Sequence, residues 1–132
     1  MFKLLPKTKN LSIGLRGEKA AVTYLKSLNY AILETNFCNN KGRRIGEVDI
    51  IAKDGEEIVF IEVKTKENNN INASLPEENI TRSKLYKLNK IASFYISSKK
   101  LYSSPYRFDA ISIVSDSQAN TAKLRHLKNI FI

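Results

Sequence analysis

Residues 45–66 read IGEVDIIAKDGEEIVFIEVKTK, two apolar runs on either side of Asp54-Gly55. An Asp-Gly pair flanked by strand-like residues is a strong hairpin signal, because both turn positions favour positive φ. With Asp54-Gly55 as a two-residue turn, Lys53 pairs with Glu56, which sets Asp49 opposite Phe60 and Glu47 opposite Glu62. Cross-strand partners share a face, and the two-residue period carries that face on to Lys64. A four-residue loop instead sets Asp49 opposite Glu62, again on one face. Only an odd register, uncorrected by a bulge, separates them. The rest of that face is Ile51, Ile58 and Phe60, while the other carries Val48, Ile50, Val59, Ile61 and Val63. A hairpin apolar on both sides belongs to a sheet covered on both faces.

Carboxylates crowded at the end of such a hairpin are partly desolvated and repel one another. One of them takes up a proton unless a cation neutralises the set. A hard divalent ion, Mg2+ (or Mn2+), suits them, since it accepts carboxylate oxygens and keeps waters for chemistry. An ammonium at Lys64 would orient or help deprotonate such a water, or stabilise charge developing on a phosphate. The plainer account of Glu62-x-Lys64 is a solvated strand end with an incidental ion pair. The spacing of Asp49 and the apolar approach to Glu62 favour the chemical account.

Outward from the hairpin, Ser12 caps a helix running to about residue 28, with Ala21, Val22, Leu25 and Leu28 as its apolar stripe. Glu18 lies ahead of that stripe on the same face, where a lone carboxylate wants a partner. Its plainer role is a favourable charge in the first helical turn. Residues 30–37 read as a strand and 38–42 as a turn, followed by the hairpin strands over 45–53 and 57–64. Residues 65–79 are polar, Asn-rich and aperiodic, a loop whose length in a small domain signals function or disorder. A second helix is expected over 80–97, with Leu85, Leu88, Ala92 and Tyr95 buried and Lys84, Lys87 and Lys90 on or beside its solvent side. Strands over 106–114 and 123–131 complete an α/β order of αβββαββ. Residues 1–11 are expected to form a loose basic arm on a single domain spanning 1–132.

Composition narrows the function. Lys and Arg number 22 against 13 Asp and Glu, a formal net charge of +9, which suits phosphate backbones or an anionic membrane. No apolar run reaches the roughly 18–20 residues that span a bilayer, and the N-terminus lacks a secretory apolar core, so the cytoplasm is the expected compartment. Cys38 is the only cysteine and His126 the only histidine, which excludes an internal disulfide and cysteine-built or histidine-rich metal sites. Acids dominate from Asp54 to Glu78, while Lys41, Arg43, Arg44, Arg82, Lys84, Lys87 and Lys90 flank them. Carboxylates for a cation with bases around them for phosphates is what a nuclease requires.

These residues carry a resemblance. Asp49 followed by Glu62-Val63-Lys64 at the end of an apolar strand looks like the Asp…(Asp/Glu)-x-Lys motif of restriction-endonuclease-like nucleases. More narrowly, the chain resembles the YraN-like family of small bacterial proteins, predicted nucleases of that fold. The matching stretches are Gly17-Glu18-x-x-Ala21 with Tyr24-Leu25, Gly46 to Ala52, Val59 to Lys66, Lys84, and Arg107-Phe108-Asp109. The resemblance implies a central mixed β-sheet flanked by helices, and a metal-dependent endonuclease acting on DNA, with branched or damaged DNA in repair or recombination as its substrate. It implies Asp49 and Glu62 as metal ligands, the Val63 carbonyl as a further one, Glu18 as a ligand often acting through water, and Lys64 as the catalytic lysine. Val48 stands where the motif has proline, and Lys66 where the family more often has arginine, which makes a bidentate phosphate contact a point-charge one.

Arg43, Arg44, Lys66, Lys84 and Lys87 are the expected nucleic-acid contacts, with a solvated turn nearly as good an account of the two arginines. Gly14 and Gly17 lack the spacing of a phosphate loop, and close packing explains them better. His126 is expected to be a surface or satisfied histidine, Asp109 to structure the site or pair with Arg107, and Tyr30, Tyr86, Phe94 and Tyr95 to be core aromatics. A homodimer is an open expectation, since a small nuclease that cuts two strands often works as a pair. The competing expectations are a nucleic-acid-binding module without catalysis, and an adaptor whose basic surface meets an acidic protein.

Overall fold

Two strands rich in Ile, Val and Phe, β4 (Glu57–Glu67) and β5 (Tyr106–Asp116), run parallel side by side in the middle of the sheet. They are buried on both faces over most of their length, as parallel strands must be when helices cover them. The structure is a computed structural model and describes residues 2–3, 13–40, 42–67, 81–116 and 121–130. The other elements are β1 (Phe2–Lys3), α1 (Ile13–Ser27), β2 (Ala31–Cys38), β3 (Glu47–Asp54), α2 (Arg82–Ser98) and β6 (Thr121–Leu127). The sheet runs β1-β6-β5-β4-β3-β2, antiparallel everywhere except at β4–β5.

From α1 onward the order is αβββαββ, a mixed sheet between helices with the architecture of the restriction-endonuclease-like fold. Of the expected basic arm, Phe2 and Lys3 pair with Ala122 and Thr121 of β6, and the remainder lies outside the described residues. Ser12, the expected cap of α1, lies outside them too. The expected loop over 65–79 begins later than its polarity suggests. β4 continues through Glu67 because β5 pairs with it as far as Glu67↔Ser115. Among the described residues no helix is long and apolar enough to cross a membrane.

The hairpin turn sits one residue further on than expected. Asp54 pairs with Glu57, so Gly55-Glu56 form the turn, and of these two only Gly55 has positive φ (61°). Positive φ at the first turn position alone is the type II′ pattern, which glycine supplies without a Cβ clash. The pairs Ile51↔Phe60 and Ile50↔Ile61 extrapolate to Asp49 against Glu62, the register of the alternative loop. That register moves each partner by two residues and keeps Glu62 and Lys64 on one face of β4, while Asp49, beyond the last pair, meets β4 through a bond from the Val63 N–H.

One side of the sheet packs on α1 through Ala20, Ala21, Leu25, Ile50, Ala52, Val59, Ile61, Ile111 and Ile113. The other packs on α2 through Ile51, Ile58, Phe60, Leu88, Ile91, Ala92, Tyr95 and Phe108. Val48, expected on the α1 side, joins the α2 core instead. Leu28 is exposed because α1 ends before it and Asn29 turns the chain at φ 66°. Tyr86, expected in the core, is 62% exposed, while Tyr30 and Tyr95 are buried as expected. The inward stripe of α2 is Leu88, Ile91, Ala92 and Tyr95, which leaves position 86 on the opposite side. At its start α2 is capped by Thr81, whose hydroxyl accepts from the Lys84 N–H at 3.2 Å.

Candidate functional site

The candidate carboxylates lie where the pairing of β4 with β3 stops. The register between these strands ends at Ile50↔Ile61, whereas β4 continues alongside β5 for six more residues to Glu67. In that gap the Val63 N–H donates to Asp49 Oδ2 at 2.7 Å. Asp49 is thus fixed to the strand that bears Glu62 and Lys64. Burial, reinforced by the charges of Glu62 and Glu18, pushes the Asp49 carboxyl up to about 7. The Val63 amide and the Lys64 charge oppose that rise without cancelling it.

Glu62 and Lys64 stand two residues apart on the α2 side of β4, and their side chains form an ion pair of 3.0 Å. Both are largely shielded, with side-chain exposures of 22% and 26%. Burial acts against the Lys64 charge, but the bond to Glu62 and the charges of Glu62 and Asp49 outweigh it and hold the ammonium above the ordinary lysine range. Lys84 of α2 is lowered by its contact with Lys64, so the two ammonium groups are neighbours across the site.

Glu18 reaches this region because α1 lies close against β4. A methyl group at Gly17 would overlap the Thr65 side chain, so only glycine permits that approach. Glu18 is half-buried, and its charge is felt at Asp49. Close packing is therefore the role of Gly17, and position 14 falls within α1.

Lys84 and Lys87 line a cleft of about 160 Å³ with Gly46, Glu47, Glu62, Leu85 and Leu88. Beside it a wider groove of about 520 Å³ is lined by Arg43, Arg44, Ile45, Asn89, Lys90 and Ser93. Arg44 also forms an ion pair with Glu47. Lys66 follows Lys64 on β4, opposite Val114 of β5. The structure thus gathers Asp49, Glu62, Val63, Lys64, Lys84 and Lys87 at one place, with Glu18 behind and Arg43 and Arg44 on the adjoining groove. Asn89, Ser93 and exposed Tyr86 were not singled out as surface candidates from the sequence. The helical offset of Tyr86 from Leu88, Ile91 and Ala92 was the signal that would have found it.

Among the described residues, no three His, Cys, Asp or Glu side chains stand together as a group able to hold a metal. Asp49 and Glu62 are a pair of hard oxygen donors, with the Val63 carbonyl on the same strand. Mg2+ is commonly held by one or two carboxylates, with water completing its shell. The elevated Asp49 carboxyl shows the same fit, because a cation there would relieve a repulsion that burial and Glu62 impose.

On the other side of the sheet, Asp109 is fully buried and fully bonded. It accepts from Arg107 Nε and Nη2 at 3.0 and 3.1 Å and from the Asn129 N–H at 2.9 Å. His126 Nε2 lies 2.7 Å from Asp109 Oδ2, and its Nδ1 is 3.0 Å from the Tyr24 hydroxyl. Arg107 further donates to Tyr30, Asp54 and Glu57, which ties β5 to the hairpin turn. Burial would raise the Asp109 carboxyl, but the bonds from His126, Arg107 and Asn129 hold it below the ordinary range. His126 is a satisfied histidine, and Asp109 pairs with Arg107.

The chain has relatives over most of its length. Residues 17–113 match the family described as "Uncharacterised protein family UPF0102". A UPF0102 protein of Geotalea uraniireducens (strain Rf4) is 41% identical over 123 residues, covering 92% of this chain and 91% of that protein. One from Thermodesulfovibrio yellowstonii is 43% identical over 122 residues, covering 92% and 96%. One from Clostridium tetani is 39% identical over 122 residues, covering 92% and 95%.

Proposed function

For this chain, which belongs to the uncharacterised family UPF0102, the YraN-like family, we propose a metal-dependent endonuclease that hydrolyses phosphodiester bonds in DNA. The observation that carries the reading is the pair Asp49 and Glu62, held partly desolvated beside Lys64 where β4 leaves β3. The +9 charge and the lysines of α2 around the cleft support nucleic acid as the partner. The cytoplasm is the compartment that fits such a partner.

In this reading Asp49, Glu62 and the Val63 carbonyl hold Mg2+ or Mn2+, with Glu18 behind them acting through water. The bound ion supplies a polarised phosphate and an activated water. The bond from the Val63 N–H orients Asp49, which with Glu62 would hold the ion. Lys64 turns from Glu62 toward the phosphate, where its ammonium orients the attacking water and stabilises developing charge. Lys84 and Lys87 grip neighbouring phosphates across the cleft, and Lys66, Arg43 and Arg44 extend that contact.

Labelled linear, flapped and four-way-junction DNA, incubated with Mg2+, Mn2+ or EDTA beside the Glu62→Ala protein, tests the reading. Metal-dependent cleavage that vanishes in the variant is the expected outcome, and absence of cleavage with every metal and substrate overturns it. Cleavage of both strands by a species of twice the monomer mass would establish the homodimer. A second reading, a nucleic-acid-binding module without catalysis, is favoured by the Glu62–Lys64 pair closing on itself and because, among the described residues, no three carboxylates stand together as a metal-holding group. Salt-sensitive binding with no metal requirement would decide for it.

A further inference from the structure

Tyr86 is out of keeping with the rest of α2. The core-facing side of this helix is filled, yet an aromatic ring stands 62% exposed on the far side, where burying it would gain more than leaving it in water. It lies in a field of positive charge. Lys90, one turn on, holds its Nζ 4.8 Å from the centre of the Tyr86 ring. The same Lys90 lines the wider groove with Arg43 and Arg44. Lys87, between them in sequence, lines the cleft that contains Glu62. Ile45 borders the groove and Gly46 the cleft, so the two depressions adjoin along one helix.

We propose that the outer side of α2 and the facing 43–46 segment hold a single nucleic-acid strand leading to Glu62, with Tyr86 as the ring on which an unpaired base stacks. The strand's destination rests on the nuclease reading above; the binding surface does not. From Lys84 to Ser93 the helix rises about 14 Å, enough for a few nucleotides. The basic side chains match the phosphates along that length. The aromatic ring matches something else, because phosphates gain nothing from it, whereas every unpaired base presents a face to stack on. In a duplex those faces are already stacked on neighbouring base pairs. A ring beside a basic groove therefore favours a single-stranded segment, such as a flap, a gap or an unwound end, over a continuous double helix. Lys90 adds to the match by keeping a cation at the ring, where a stacked base and its phosphate are both accommodated.

The test is binding alone, measured by fluorescence anisotropy in EDTA at roughly 0.15 M salt, so that it does not depend on cleavage. The probes are labelled oligothymidylate and a mixed-sequence duplex of equal length. The wild-type chain is expected to bind the single strand more tightly than the duplex. Tyr86→Ala should weaken single-strand binding about tenfold, the scale of one lost base stack. It should leave duplex binding nearly as it was, and Tyr86→Phe should recover most of the single-strand loss. Tyr102, exposed beyond the end of α2 and bonded to Ser97, serves as the control aromatic, and Tyr102→Ala should change neither affinity. Preference for the duplex, an unchanged single-strand affinity in Tyr86→Ala, or an equal loss in Tyr102→Ala overturns the proposal. The cleavage assay under Proposed function is separate. A chain that stacks single strands but cuts nothing would keep this surface and lose the nuclease.

Discussion

Two clusters of charge lie on opposite sides of the same sheet, and they have been handled in opposite ways. On the α1 side, Asp109 has no exposed surface, yet each of its oxygens meets two donors, from Arg107, His126 and the Asn129 amide. Its carboxyl is held below the ordinary range despite burial. At the β3–β4 gap, Asp49 is less buried but has only the Val63 N–H as a hydrogen-bond donor among the described residues, and the charges of Glu62 and Glu18 act on it. Its carboxyl rises to about 7. Burial is common to both, so burial does not explain the contrast. The supply of donors does. A fully bonded charge network positions strands, whereas a carboxylate with a single such donor is left strained, a strain that the proposed metal site would relieve.

That contrast can be broken most sharply at the gap. Glu62→Ala is expected to abolish metal-dependent cleavage, and Lys64→Ala to lower it about 10²- to 10⁴-fold. Both should leave DNA affinity in EDTA close to wild type and the thermal melt cooperative. A Lys64→Ala enzyme that cuts at the wild-type rate would remove the lysine from the chemistry.

The reverse pattern is expected on the α1 side. Asp109→Ala leaves Arg107 and His126 without their shared partner and should cost about 3–5 kcal/mol of stability, seen in urea unfolding. Cleavage per folded molecule should change little. Loss of activity with retained stability would merge the two clusters into one site.

The two carboxyls should also separate by pH. The folded-state value of Asp49 lies above its unfolded value near 4, so the folded chain binds the extra proton between about pH 4 and pH 7. Its contribution in the metal-free protein therefore improves as pH falls through about 7. Asp109 has the opposite sign: its contribution is present above about pH 4 and is lost as pH falls through its lowered value. Asp49→Asn should remove the first dependence and stabilise the metal-free chain near pH 8 by roughly 1–2 kcal/mol. Mg2+ should flatten the same dependence in wild type. Thermal melts from about pH 5 to 8 of wild type beside Asp49→Asn, with EDTA or Mg2+, measure both. A flat metal-free profile in wild type would deny the strain at Asp49.

The smallest expected effect is at the rim of the network. Tyr24→Phe removes one hydrogen bond to His126 and should cost about 0.5–1.5 kcal/mol, measured by the same unfolding.

Much of the candidate site was legible from residues 45–66, because side-chain direction in a strand repeats every two residues. Either even register sets Asp49 near Glu62 and Lys64, so misplacing the turn by one residue left the three close together even though β3 departs from regular alternation at Val48. The α1 network was not legible to the same degree. Arg107 bonds Glu57 and Asp54, separated from it by 50 and 53 residues, and His126 reaches Tyr24 across 102. No periodicity relates positions so far apart. Val48 escaped its expected side for a related reason. The alternation that predicts it assumes a regular ladder, and here the Asp49 carboxylate takes the Val63 N–H beyond the last β3–β4 pair.

By itself, then, the sequence determined the αβββαββ order, the nearness of the carboxylates and the lysine, and the basic surroundings of the hairpin, since each follows from local geometry or from charge. Tertiary structure decided what surrounds them. Gly17 lets α1 bring Glu18 within range of Asp49, β4 outruns β3 because β5 supports it, and Tyr86 faces water because Leu88, Ile91 and Ala92 meet the sheet. These outcomes depend on which surfaces pack against one another. A one-dimensional pattern carries direction along each element, but not the partner that the element meets.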